Sequence, residues 1–127
     1  YNEWSESLLG FHINDTFGFE CNHYDRVLHF LFGLLFQRPV RQILDRWIDC
    51  RPWIMTLLAV VVIGSMGGFY EVLEWGIAAT LSPETAEKYN GQQGDMWDAQ
   101  KDIALAYLGA ALIACIKAGR ASATPRN

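Results

Sequence analysis

The chain has 127 residues, 51% of them hydrophobic and 19% charged, with a formal net charge of −4 and a mean hydropathy of +0.07. These figures fit one domain and exclude a disordered or collagen-like chain; three cysteines are too few, and odd in number, for a disulfide scaffold. The acidic balance without a basic tract also argues against a nucleic-acid partner. The averages look soluble, but the charges are unevenly spread.

The first predicted helix starts near Asn22, includes Val27 to Phe36 and ends around Arg38-Pro39, with a kinked continuation into Val40 to Trp47 as the alternative. The second rests on Trp53 to Tyr70, 18 consecutive residues without a charge, which meets the length of a membrane span. Its helical pattern continues through Glu71 and Glu74 to Leu81, and Pro83 stops it. The third carries the 14-residue uncharged run Ile103 to Ile116. Begun near Asp95, it reaches about 30 Å and crosses the hydrocarbon. The expected fold is an all-α polytopic membrane bundle, with three transmembrane helices at about 22–38, 53–81 and 95–117. Residues 1–127 then form a single membrane domain. The chain opens on Tyr and shows no signal peptide, so a processed chain, or a piece of a larger architecture with helices upstream, is expected.

Charge supports the three crossings. Residues 1–25 hold five acids and no Lys or Arg, whereas 38–52 hold four Arg against Asp45 and Asp49. Residues 82–102 hold five acids against Lys88 and Lys101, and the tail after Ile116 has three basic residues and no acid. Excess Lys and Arg marks the cytoplasmic side, which places 38–52 and the C-terminus inside and the acid-rich segments outside. Trp53, Tyr70 and Tyr24 stand near span ends, where amphipathic aromatics favour the headgroup level. Gly64-x-x-x-Gly68 and Ala106-x-x-x-Ala110 offer small faces for close helix approach.

Ionisable side chains inside spans are costly and mark functional positions. Asp25 and His29 are four apart, Glu71 and Glu74 three apart, and Asp98, Lys101 and Asp102 follow Asp95 at spacings of three and four. All approach the same, outer side of the membrane. Ordinary roles compete: Asp95 and Asp98 suit a helix start, Arg26 can pair with Asp25 or snorkel, and Lys101 can neutralise Asp98 or Asp102. Glu71 and Glu74 have no such role. They follow an uncharged run, far from a helix start, and repel each other, so a proton, a basic partner or a cation must compensate. The expected catalytic group is Asp25, His29, Glu71, Glu74, Asp98 and Asp102, with Tyr24, Arg26 and Lys101 on the substrate. The metal ligands expected among them are Glu71, Glu74, His29 and Asp98. Carboxylates with one His suit a divalent cation such as Mg²⁺, Mn²⁺ or Zn²⁺, which at headgroup depth can clamp a lipid or isoprenoid phosphate. The alternative is a transport or accessory subunit, whose carboxylates relay protons or pack against helices or a partner membrane protein. Cys21, Cys50 and Cys115 have no zinc-site spacing.

These residues also carry a family resemblance. Asn22-His23-Tyr24-Asp25-Arg26 with His29-Phe30 and Gly33, then Phe69-Tyr70-Glu71 with Glu74-Trp75, then Gly91-x-x-Gly94-Asp95-x-Trp97-Asp98-x-Gln100-Lys101-Asp102 resemble the YjdF-type family of bacterial inner-membrane proteins. The resemblance runs from about Tyr1 to Lys117 and departs at Leu28, where Gly is expected before the His. It implies a bacterial inner membrane, further N-terminal helices and functional weight on the motif residues, but no substrate. The order of acids across the three helices is more loosely similar to VanZ-like proteins, which typically carry Gln where Glu74 stands.

Overall fold

A computed structural model describes residues 24–81 and 95–123. Three helices make up nearly all of it: α1, Tyr24–Trp47; α2, Pro52–Thr80; and α3, Asp98–Ala123. The described residues contain no strand. Pro52 opens α2 at a first-turn position, where its missing N–H has no partner to lose. The predicted helix start near Asn22, Cys21, the Gly91 and Gly94 motif positions and Pro83 lie outside the described residues.

Of the two courses expected for α1, the structure takes the alternative one: the helix does not end at Arg38 but runs through Pro39 to Trp47. Proline removes one backbone bond inside a helix, yet its fixed φ is helical. Beyond it, Arg41 Nη1 donates to Thr56 Oγ1 at 2.9 Å and lies near Asp45, anchoring the extra turns to α2. α3 begins at Asp98 and not at Asp95. Asp95 instead occupies the turn before it, with Oδ1 accepting from Trp97 N at 3.1 Å and the carbonyl accepting from Asp98 N.

α2 and the Asp98–Ala118 part of α3 are long and apolar enough to cross a membrane. α1 is 24 residues long, but its run without Asp, Glu, Lys or Arg is bounded by Arg26 and Arg38. Tryptophans cluster at both ends of the bundle. Trp47 and Trp53 are 83% and 62% exposed at one end, Trp75 and Trp97 70% and 59% at the other. Along α2, Trp53 and Trp75 are separated by about 33 Å, close to the hydrocarbon thickness of about 30 Å.

The helices meet along stripes of every fourth residue. α1 buries His29, Gly33 and Gln37; α2 buries Met55, Ala59, Ile63 and Gly67; α3 buries Asp102, Ala106 and Ala110. Ile63, Ala106 and Ala110 form the apolar core, with Phe32, Val40 and Val60 against it. Small residues set the helix spacing. A β-carbon on Gly33 would collide with the Ala106 carbonyl, and one on Gly109 with the Phe30 carbonyl, so α1 and α3 run in backbone contact. Gly64 is a socket for the Tyr107 ring. Ala106-x-x-x-Ala110 therefore packs on α1, while Gly64 receives an aromatic side chain from α3.

Candidate functional site

Followed toward one end of the bundle, each buried stripe turns acidic. On α1 the stripe ends in His29 and Asp25, on α2 in Glu71, and on α3 in Asp102. The ligand-type atoms of these four residues all lie within 4.8 Å of one another. Three helices thus converge three carboxylates and one imidazole on a single point inside the bundle.

His29 is held from both sides. Its Nδ1 lies 3.2 Å from the Asp25 carbonyl oxygen, one turn back, and 3.5 Å from Asp25 Oδ1. A carbonyl only accepts, so Nδ1 carries the proton in that bond. Nε2 then faces Glu71 Oε1 at 3.1 Å, yet this oxygen is buried and lacks a well-directed hydrogen bond. The Tyr70 ring sits edge-on to the imidazole at 5.7 Å between centroids. Asp102 is the most isolated member. It is 1% exposed, and neither carboxylate oxygen has a hydrogen-bond partner among the described residues.

A second layer lies one turn further out. Arg26 Nη2 donates to Asp95 Oδ2 at 2.5 Å and to Asp98 Oδ1 at 3.0 Å. Lys101 Nζ donates to the same Asp95 oxygen at 2.6 Å. Asp95, ahead of the spanning part of α3, is held below the usual carboxylate range by the Lys101 ammonium first, then by the Trp97 N–H. The two nearby basic side chains are thus engaged with Asp95 and Asp98. The sequence expectation had Arg26 pair with Asp25 or snorkel, and Lys101 neutralise Asp98 or Asp102; among the described residues Arg26 reaches Asp95 and Asp98, and Lys101 reaches Asp95.

Of the sequence-predicted residues, the structure brings together Asp25, His29, Glu71 and Asp102. Asp98 joins the outer ion pairs with Arg26, while Lys101 reaches Asp95. Glu74 lies one turn beyond Glu71, half-buried and outside the group of four. Tyr24 is 47% exposed at the first described position of α1. Sequence reasoning missed Gln37, 1% exposed with an unpartnered Oε1, although its spacing of eight from His29 places it on the same stripe. Cys50 and Cys115 are free thiols away from the cluster.

A helical bundle with two membrane-length spans, tryptophans at both ends and an acidic cluster near one end has the build of a polytopic membrane protein. The chain belongs to the family described as "Predicted membrane protein (DUF2238)", whose model matches residues 2–122. It is also 34% identical over 104 residues to "Inner membrane protein YjdF" of Escherichia coli (strain K12), a match covering 80% of this chain and 49% of that protein. The chain thus spans about half the length of this relative. No solved structure matches.

Proposed function

We propose that Asp25, His29, Glu71 and Asp102 form a divalent-cation site, in a bacterial inner membrane, that engages a phosphate-bearing lipid from the outer side. The observation that carries this reading is Asp102, a buried carboxylate with both oxygens unpartnered among two further acids and an imidazole. Removing one partner from such a group leaves an uncompensated buried charge, which is strongly destabilising. A dication offsets that repulsion directly. Ligands on opposite sides of an ion at 2.0–2.6 Å stand about 4.0–5.2 Å apart, a range that includes the spread of these atoms. His29 has the tautomer that a metal requires: Nδ1–H is spent on the Asp25 carbonyl, a typical second contact of a ligating histidine, and Nε2 points to the centre.

The cation would polarise a phosphoryl oxygen and acidify a bound water, with Glu74 and Asp98 one turn away as further acids. Arg26 and Lys101 stand on the outer rim, ion-paired with Asp95 and Asp98, and an arriving phosphate would compete with those carboxylates for them. The charge pattern supports three crossings with the C-terminus inside, and in that arrangement this end would face outward. Glu71, about 6 Å along α2 from Trp75, then lies at headgroup depth.

One observation favours a different reading. Nε2 and Glu71 Oε1 at 3.1 Å would oppose two lone pairs unless something positive lies between them, and a proton serves as well as a metal. His29 would then relay protons between Asp25 and Glu71. Metal analysis of protein purified without chelator separates the two readings. One Mn²⁺ or Zn²⁺ per chain, lost in Glu71→Gln, supports the cation site; a metal-free, folded protein supports the relay.

A further inference from the structure

Beside the cluster, side chains of α1 and α2 bound a cleft of about 600 Å³. Asp25 and His29 line it together with the apolar side chains of Leu28, Phe32, Val62, Met66 and Leu73. Along α2 the lining extends from Val62 to Leu73, about 16 Å. Polarity is ordered along the cleft. Its carboxylate and imidazole lie at the Leu73 end, beside the cation site, and Phe32 and Val62 lie deepest in the span.

We infer that this cleft holds one hydrocarbon chain of the lipid whose phosphate the cluster engages. The inference rests on the function proposed above and specifies the substrate class: an amphiphile with a phosphate head and a chain running along α1 toward the bilayer centre. The order of polarity favours a chain over another helix, since a lipid inserted from the outer leaflet has the same order of polar head and apolar chain as the cleft, with Asp25 and His29 at one end and Phe32 and Val62 at the other. In a bilayer the chain gains little from leaving water; its preference for the cleft comes from close dispersion contacts.

The test uses the full chain in phosphatidylethanolamine/phosphatidylglycerol nanodiscs with hexadecyl phosphate carrying a mid-chain diazirine. Photolysis should label Leu28, Phe32, Val62 and Met66 well above Val72 and Leu108, which are exposed outside the cleft. Ser65→Phe places a ring in the cleft from an exposed position and should cut labelling about tenfold, the order expected from forfeiting on the order of ten carbon contacts. Ser65→Ala should leave labelling unchanged, and both variants should keep the parent's metal content and thermal unfolding. Even labelling over all lipid-facing positions, or full labelling in Ser65→Phe, would overturn the inference and leave the cation site standing. Cleft labelling in a protein that never binds metal would overturn the cation site and leave the chain in its cleft.

Discussion

Adding one methyl group at two glycines should give opposite results. At Gly33 a β-carbon meets the Ala106 carbonyl oxygen, with Ala110 N also too close, and backbone cannot rotate aside. Gly33→Ala therefore requires α1 and α3 to separate, loosening Ala106 and Ala110 in the core. Overpacking of this kind costs about 1–3 kcal/mol, and a clash with backbone belongs at the upper end. At Gly76 a β-carbon meets nothing within 4 Å. Gly76→Ala should stabilise α2 by about 0.5–1 kcal/mol, because alanine has less backbone freedom to lose in a helix. The two variants should thus differ by about 3 kcal/mol, more than a hundredfold in the unfolding equilibrium. Thermal or denaturant unfolding in one detergent, followed by circular dichroism, reads the difference. Gly33→Ala as stable as Gly76→Ala would refute backbone contact between α1 and α3. The same separation would move Asp102 away from His29, so Gly33→Ala should also weaken any metal binding.

The outer ion pairs give two further predictions. Arg26→Gln removes the guanidinium that bridges α1 to Asp95 and Asp98, and should destabilise the fold by about 2 kcal/mol, less as salt is added. Denaturant titrations at low and high ionic strength check this. Asp95 has a folded pKa below its unfolded value, so its contribution is fully present above the unfolded pKa and is lost as pH falls through the folded one. Acid titration of unfolding should show that loss below about pH 4, and Lys101→Met, which removes the first cause of the shift, should reduce it.

Much of the bundle was legible in the sequence because lipid exposure removes ambiguity. An uncharged run from Trp53 to Tyr70 suits a membrane span and little else, and a spacing of four aligns Asp25 with His29 on one helix face. Glu71 stood out because an acid that follows an uncharged run, far from a helix start, needs compensation. The choice between Asp98 and Asp102 was not legible. They are one turn apart on one helix, and Arg26 on another helix decides which of them is paired. Pro39 left two outcomes open: as a local rule it ends helices, but Arg41 on Thr56 holds the turns beyond it. Gln37 was missed because a lone amide beside Arg38 and Pro39 reads as the polar end of a span, whereas the folded bundle buries it.

The cation site is tested most directly by titrating the metal-stripped protein with Mn²⁺ and recording pulsed electron paramagnetic resonance. One ion per chain, with coupling to a single imidazole nitrogen that vanishes in His29→Gln and an affinity that drops in Asp102→Asn, is the predicted result. Weak binding to many sites without nitrogen coupling, in a protein that remains folded, would contradict it.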